Sequence, residues 1–215
     1  MSSEPNPLRI LVVDDHPVVR RGIAALIAVD SGLRLVGEAA TGREALEQFR
    51  TLRPDITLMD LQMPEMNGLD AIIAIRAESP EARIVVLTTY LGDVHVLRAL
   101  KTGARGYLLK NSLYEELLET IRAVHAGKKS LSPEASFELA EHATDDTLTP
   151  AEMRVLRLIA AGDSKEIAAQ LSMSERTIKG QIRNIMSKLG AKDRTHAAMI
   201  ALKRGIIAIS GGRLI

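Results

Sequence analysis

Five short apolar segments alternate with amphipathic segments along residues 8–127, and this alternation constrains the fold more than any other feature. The apolar segments are rich in Val, Ile and Leu and do not alternate with polar residues, as is typical of strands covered on both faces. Five strand–helix units in succession predict a parallel sheet with helices on both sides. The predicted strands are LRILVVD (8–14), LRLVGEA (33–39), DITLMD (55–60), RIVVLT (83–88) and GYLLK (106–110).

The connections between these strands restrict the topology, because crossovers between parallel strands are right-handed. The simplest α/β arrangement is a flavodoxin-like, doubly wound, five-stranded parallel sheet in the order 2-1-3-4-5, over residues 1–127. Capping boxes at Thr41–Glu44 and Ser112–Glu115 predict the starts of two of the intervening helices.

Residues 128–147 differ in character and predict a linker between two domains. Ser132-Pro133 can begin a short helix that runs to about His142, and ATDDT then forms an exposed connector. From residue 148 to residue 215 the pattern predicts an all-α, four-helix domain. Its first helix begins with a capping box at Thr149–Glu152.

Two helices of this second domain are joined by the tight turn SMS, which is a helix-turn-helix pattern. The second of them is capped by Ser174 and has an apolar side and a basic side. Lys179 and Arg183 on the basic side could reach phosphates or a guanine edge in the major groove of DNA. Arg176 and Thr177 could donate to phosphates from the helix start. The apolar stripe consists of Ile178, Ile182, Ile185, Met186 and Leu189.

Charge and composition limit the classes of protein. The net charge of +1 is divided unevenly along the chain. Residues 1–147 contain 16 Lys and Arg and 22 Asp and Glu, a net charge of −6, whereas residues 148–215 contain 12 and 5, a net charge of +7. The basic third suggests a polyanionic partner, although basic segments are often only solvated surface. There is no Cys, which excludes disulfides and thiolate metal sites. No secretory signal and no apolar run of roughly 20 residues is present, so we expect a cytoplasmic protein without a membrane partner.

Reactive side chains close four of the predicted strands: Asp14 and Asp15, Asp60, Thr88, and Lys110. Strands 1 and 3 are neighbours in the predicted order, so three carboxylates should converge in one pocket. Like charges at such distances need a counter-ion, and Mg²⁺ suits carboxylate ligands. Asp60 could then act as a nucleophile toward a phosphoryl group whose oxygens bond to Thr88. A single Asp at a strand end often only begins a turn, so the inference depends on four strand ends together.

These motifs resemble a known family. DDHP (14–17), DITLMDLQMPEMNG (55–68), LTTY (87–90) and GARGYLLK (103–110) resemble the receiver domain of two-component response regulators. LTPAEMRVLRLIAAG and SERTIKGQIRNIMSKLG resemble the LuxR-type helix-turn-helix domain of the NarL/FixJ group. The resemblance covers nearly the whole chain and implies a phosphorylation-dependent transcription regulator that is not a turnover enzyme, although it would take phosphate from a phosphodonor and slowly lose it.

The resemblance also implies roles for individual residues. Asp60 would accept phosphate from the phosphohistidine of a sensor histidine kinase. Asp15 and Asp60 would bind Mg²⁺ with the backbone carbonyl of Gln62, while Asp14 would act through water. Lys110 would pair with the phosphoryl group.

Thr88 and Tyr107 match the switch pair of the family, in which the hydroxyl moves to the phosphate and the ring turns inward. Without the resemblance, Tyr107 would be taken as a half-buried packing residue. Gln62 and Tyr90 occupy positions that tune phosphate hydrolysis in the family. Phosphorylation would promote a homodimer that reads two promoter half-sites on double-stranded DNA.

The chain departs from the family pattern in its DNA-binding part. The segment that begins at Gly162 is one residue short, and we expect Asp163 to cap the next helix in a tighter turn. Gln181 stands where the family often has His, which leaves the fold unchanged but the base preference open. Gly180 either allows close approach to the DNA backbone or is an ordinary surface glycine.

Two other functions remain open. The first is an aspartyl-phosphate phosphotransferase or hydrolase, but enzymes of the haloacid dehalogenase type have a second Asp two residues after the nucleophile, where this chain has Gln62. The second is a phosphorylation-independent DNA-binding protein in which the receiver serves as a scaffold. A nucleotide-binding function is disfavoured, because no glycine-rich phosphate loop follows strand 1.

Overall fold

The computed structural model describes residues 6–89, 92–111, 114–142, 148–159, 164–207, 209–210 and 213–214. The chain divides into two compact units, one formed by residues 1–89 with 96–136 and the other by residues 137–215 with 90–95. The predicted domain limits at residues 127 and 147 stay predictions. Of the helices in these described ranges, none has the length and apolarity needed to cross a bilayer.

The first unit contains a parallel sheet in the order β2-β1-β3-β4-β5-β6, which confirms the predicted doubly wound fold and the order of its first five strands. The sixth strand was not predicted. It lies inside the predicted linker and has only two residues, too few for a recognisable pattern. Ser130 pairs with Gly106, and Leu131 pairs with Tyr107, both in the fifth strand. The strands are β1 (Leu8–Val13), β2 (Leu33–Ala39), β3 (Ile56–Met59), β4 (Ile84–Thr88), β5 (Gly106–Leu109) and β6 (Ser130–Leu131).

Helices follow each of the first five strands, and a further helix follows β6. At the start of the second helix, Thr41 Oγ1 accepts from the Glu44 N–H at 3.2 Å, and Glu44 Oε2 accepts from the Ala40 N–H at 2.8 Å, so this capping box is confirmed. The proposed cap Ser112 lies outside the described residues. The helices are α1 (Pro17–Val29), α2 (Gly42–Leu52), α3 (Gly68–Glu78), α4 (Asp93–Lys101), α5 (Tyr114–His125) and α6 (Pro133–Glu141).

Burial matches the prediction of strands covered on both faces for the central part of the sheet. All residues of β3 and β4 are buried, as is β1 from Ile10 onward. Edge strand β2 differs, because only Leu33 and Ala39 are buried there. One aliphatic cluster joins the sheet to α1 and α5, and it includes Ile10, Val12, Ile23, Ile27, Ile56, Leu58, Val85, Leu108 and Ile121.

The second unit contains the four predicted helices, α7 (Pro150–Ile159), α8 (Ser164–Leu171), α9 (Glu175–Lys188) and α10 (Arg194–Lys203). The predicted turn between α8 and α9 has Ser172 in the left-handed region at φ 53°. Asp163, the expected cap of α8, lies outside the described residues. A short antiparallel hairpin, β7 (Ile209–Ser210) and β8 (Arg213–Leu214), follows α10, so the prediction of a purely helical domain was incomplete.

Candidate functional site

The carboxyl ends of β1, β3 and β5 bring three of the predicted residues into direct contact. Lys110 Nζ lies 2.7 Å from Asp14 Oδ2 and 2.8 Å from Asp60 Oδ2. Both carboxylates are buried, with Asp14 1% and Asp60 3% exposed. Asp15 is partly exposed beside them, and its carboxylate groups with the other two. We call Asp14, Asp15, Asp60 and Lys110 the acidic pocket.

The loop after β3 folds back on Asp60 and holds it in place. Asp60 donates its N–H to the Val13 carbonyl at 2.9 Å, and its Oδ1 accepts from the Leu61 N–H at 2.7 Å. Gly68 at the start of α3 packs directly against this segment, since a Cβ built there would lie 1.9 Å from the Asp60 carbonyl oxygen. The glycine in the NG turn therefore allows the close approach that places Asp60.

The electrostatics of the acidic pocket leave it short of positive charge. Three carboxylates and one ammonium sum to −2 when all are ionised. Burial and the charge of Asp14 raise the pKa of Asp60 above its usual value, against the hydrogen bonds of Lys110 and the Gln62 backbone and the charge of Lys110, which lower it. Burial lowers the pKa of Lys110, but the hydrogen bonds and charges of Asp14 and Asp60 together raise that pKa above its usual value.

A divalent cation fits this donor set. Oxygen atoms of Asp14, Asp15 and Asp60 lie within 4.8 Å of one another, so one ion could be shared by all three carboxylates, directly or through water. Its charge would balance the net charge of the pocket. Hard oxygen donors of this kind are those that Mg²⁺ prefers.

Thr88 and Tyr107 flank the pocket on β4 and β5. Both are fully buried, and the Thr88 backbone carbonyl accepts from the Lys110 N–H at 2.8 Å. Burial and the negative charge of Asp60 raise the pKa of Tyr107. The ring of Tyr107 therefore occupies an inward position in this structure, and the expectation of a half-buried packing residue is not met.

The structure describes only one of the two residues expected to tune phosphate hydrolysis. Gln62 is exposed, and its backbone hydrogen-bonds with the Asp60 carboxylate. The predicted role of its carbonyl as a metal ligand stays a prediction. Tyr90 lies outside the described residues.

Two residues near the pocket were missed or undervalued by sequence reasoning. His16 was not among the predicted site residues, and its Nδ1 lies 2.6 Å from Asp15 Oδ1. Arg20 donates from its guanidinium to the Asp14 carbonyl at 2.6 Å, which ties the first turns of α1 to the end of β1. Asp14 lies six residues before Arg20 and outside the helix, so no local spacing pattern indicates this contact.

The second unit presents the predicted basic surface on α9. Ser174 Oγ accepts from the Thr177 N–H at 3.1 Å and caps the helix. Ile178, Ile182 and Ile185 are buried, which confirms the apolar side. The exposed side carries five of the six residues predicted to contact DNA: Arg176, Thr177, Lys179, Gly180 and Arg183.

The sixth residue, Gln181, is only partly exposed, and its contact with a base stays a prediction. Lys179 pairs with Glu175 at 2.6 Å along the same helix. A Cβ at Gly180 would meet no atom within 4 Å, so the space in front of it is open. Close approach of DNA to Gly180 stays a prediction.

A partly buried ion pair connects α7 and α9 in the second unit. The sequence predicted the hydrogen bonds of Glu152 with Thr149 but not its pairing with Lys188. Glu152 and Thr149 form the predicted capping box, with the Thr149 N–H donating to Glu152 Oε2 at 2.8 Å. Lys188 at the end of α9 donates to the same oxygen at 2.9 Å. Although burial would raise the pKa of Glu152, these hydrogen bonds lower it below its usual value.

A doubly wound sheet with acids and a lysine at its strand ends, followed by a helix-turn-helix unit, defines the class of protein. The combination is that of a receiver domain joined to a DNA-binding output domain. Comparison with known families agrees. Residues 10–122 match the response regulator receiver domain, and residues 146–201 match the luxR family of bacterial regulatory proteins.

Individual relatives extend over almost the whole chain. The uncharacterized transcriptional regulatory protein YhcZ of Bacillus subtilis is 42% identical over 206 residues, which is 91% of this chain and 96% of that protein. The response regulator VraR of Staphylococcus aureus is 34% identical, over 93% of this chain and 99% of its own.

Solved structures show the same relationship. The RcsB–DNA complex matches with a TM-score of 0.73 at 27% identity, over 92% of this chain and 99% of that one. A LuxR-family response regulator from Aurantimonas matches with a TM-score of 0.63 at 39% identity, over 65% of this chain and all of that one. The chain therefore belongs to the two-component response regulators of the LuxR (NarL) type, which are DNA-binding transcription regulators.

Proposed function

We propose that this regulator is switched by phosphorylation of Asp60, with a sensor histidine kinase as the phosphodonor. The observation that carries the proposal is the buried contact of Lys110 with both Asp14 and Asp60, next to Asp15. A buried carboxylate beside an ammonium and a predicted cation site is suited to nucleophilic attack on phosphorus.

The chemistry is a phosphoryl transfer. A carboxylate oxygen of Asp60 forms a bond to phosphorus, while the bond from phosphorus to the imidazole nitrogen of the donor breaks and its electron pair leaves with the imidazole. The product is an acyl phosphate on Asp60. Lys110 is positioned to donate to a phosphoryl oxygen. Mg²⁺ held by Asp15, Asp60 and the Gln62 carbonyl, with Asp14 acting through water, would supply positive charge to the other phosphoryl oxygens.

The output of the switch is DNA binding. The hydroxyl of Thr88 bonds to the phosphate, the ring of Tyr107 is stabilised in its inward position, and the resulting shift toward the active conformation promotes a homodimer. Two copies of α9 then read two half-sites, and the paired contacts raise the affinity. The exposed cations Arg176, Lys179 and Arg183 support this role, as does the DNA complex of the relative RcsB.

The protein is not a turnover enzyme in this proposal. Gln62, which follows the acceptor by two residues, has no carboxylate to act as the acid and base that a hydrolase places there. The phosphate therefore stays on Asp60 long enough to act as a signal and is lost slowly.

The decisive experiment treats the chain with Mg²⁺ and acetyl phosphate and then measures its mass, oligomeric state and DNA affinity. We expect one added phosphoryl group, dimerisation and tighter DNA binding for the wild-type chain. Asp60→Asn should abolish all three changes while keeping the fold. Asp70→Asn serves as the matched control, because Asp70 is exposed on the first turn of α3.

Each alternative has its own outcome in this experiment. Stoichiometric labelling of the Asp60→Asn variant would refute the assignment of the acceptor. A labelled wild-type chain with unchanged DNA affinity would identify the receiver as a scaffold. Release of inorganic phosphate from small phosphoesters over many turnovers would identify a hydrolase or phosphotransferase.

A further inference from the structure

A histidine lies at the mouth of the acidic pocket and is held there by its own backbone. The His16 N–H donates to Asp14 Oδ1 at 2.9 Å. Its carbonyl accepts from the N–H groups of Val19 and Arg20 at 3.1 and 3.2 Å, at the first turn of α1. The imidazole is therefore attached to a fixed point beside the carboxylates, not to a freely moving loop.

The ring nitrogen Nδ1 faces two of the three acids. It lies 2.6 Å from Asp15 Oδ1 and 3.3 Å from Asp14 Oδ1. In the tautomer that carries hydrogen on Nδ1, the ring donates a hydrogen bond to Asp14 Oδ1. In the other neutral tautomer the lone pair of Nδ1 is directed at the same place and is free to bind a cation.

The spacing of these atoms suits a shared metal ion. Donor atoms from Asp14, Asp15, His16 and Asp60 all lie within 4.8 Å of one another. Two ligands about 2.1 Å from a metal and at right angles are roughly 3.0 Å apart. The Nδ1 atom of His16 lies 2.6 Å from Oδ1 of Asp15, the acid that would bind the ion directly. This pair needs to open by only a few tenths of an ångström, and neither side chain is buried.

We propose that His16 is a nitrogen ligand of the acidic pocket and gives it a preference for divalent cations that bind imidazole, such as Ni²⁺ and Zn²⁺, in competition with Mg²⁺. Imidazole suits these ions, whereas Mg²⁺ prefers oxygen. The inference rests on the cation site of the proposed function and adds a ligand to it. Its consequence is that such an ion displaces Mg²⁺ from the site of phosphoryl transfer.

Calorimetric titration of the full chain, without an affinity tag, with Ni²⁺ and with Mg²⁺ tests the proposal. Ni²⁺ binds most sites more tightly than Mg²⁺, so the informative quantity is the ratio of the two association constants in each variant. His16→Ala should lower the ratio of Ni²⁺ to Mg²⁺ binding by at least about tenfold, the scale on which residues of a metal site act. His125→Ala, at the end of α5, is the matched histidine control and should leave the ratio unchanged.

A second variant separates coordination from hydrogen bonding. The side-chain amide of His16→Asn can donate to Asp14 from nearly the position of Nδ1 but lacks the imidazole lone pair, so it should lose Ni²⁺ preference as His16→Ala does. If either variant keeps the wild-type ratio, His16 is not a ligand and the proposal is overturned.

Asp15→Asn distinguishes this failure from failure of the proposed function. If Asp15→Asn weakens both ions while His16→Ala has no effect on the ratio, only the role of His16 is wrong. If Asp15→Asn changes neither ion, the acidic pocket is not a cation site, and the proposed function fails with it.

Discussion

Gly68 controls how closely the loop after β3 can approach Asp60, because any side chain there would overlap the Asp60 carbonyl. Gly68→Ala should therefore move the loop, destabilise the first unit by about 1–3 kcal/mol, and slow labelling of Asp60 by acetyl phosphate. Urea unfolding and the rate of mass change measure the two effects.

Gly22→Ala is the matched control for this substitution. A Cβ at Gly22 on α1 would meet no atom within 4 Å, so the change should stabilise the helix by about 0.5–1 kcal/mol. Equal effects of the two substitutions would show that close packing at Gly68 does not position Asp60.

Asp60 itself is a residue whose charge opposes folding of the metal-free receiver, since burial and the nearby Asp14 charge raise its pKa. Asp60→Asn should raise the thermal midpoint in EDTA by a few degrees, because the buried charge is removed. Added Mg²⁺ should stabilise the wild-type chain and have a much smaller effect on the variant, as expected for an ion that binds only the folded state. A variant less stable than wild type in EDTA would contradict this account.

At the scale of elements, the start of α7 is joined to the end of α9 through Glu152 and Lys188. The pKa of Glu152 is lower in the folded chain than its usual value of 4.5. Its contribution to stability is therefore present above pH 4.5 and is lost as the pH falls through the lower, folded value. Glu152→Gln should cost about 1–3 kcal/mol at pH 7, and the difference from wild type should disappear in acid.

Chemical unfolding of both chains across this pH range measures the effect. Glu175→Gln is the control, because the exposed pair of Glu175 with Lys179 is expected to contribute less than about 0.5 kcal/mol. A pH-independent difference at Glu152 would mean that altered packing, and not the missing charge, is responsible.

At the scale of the whole molecule, charge is divided between an acidic amino-terminal part and a basic carboxyl-terminal part. The cations Lys179 and Arg183 are exposed on α9, so DNA binding should depend strongly on salt. Lys179→Ala and Arg183→Ala should each weaken binding. A substitution that removes one cation from a DNA phosphate should reduce the slope of log affinity against log salt by about 0.9.

Fluorescence anisotropy over a range of salt concentrations measures these slopes. Lys128→Ala, which removes an exposed cation from the first unit, should leave the slope unchanged. If it flattens the slope as much as the α9 substitutions do, DNA binding reflects net charge and not a specific surface.

Much of the fold was predictable because its signals are local and repeated. The bounds of β1, β3 and β4 follow from unbroken apolar runs, and the caps at Thr41, Thr149 and Ser174 follow from short polar patterns. Strand β6 and the hairpin of β7 and β8 were not predicted. A two-residue strand has no periodicity and forms only beside another strand with which it can pair.

The sequence by itself determined where the central strands lie and which acids close them, because apolar periodicity and turn residues act over a few neighbouring positions. Only the tertiary structure decided that Lys110 contacts both Asp14 and Asp60, that His16 faces the acids, and that Lys188 reaches Glu152. These contacts join residues far apart in the chain or depend on the direction of a single side chain. Distance and direction of that kind arise from packing in three dimensions, which no local pattern contains.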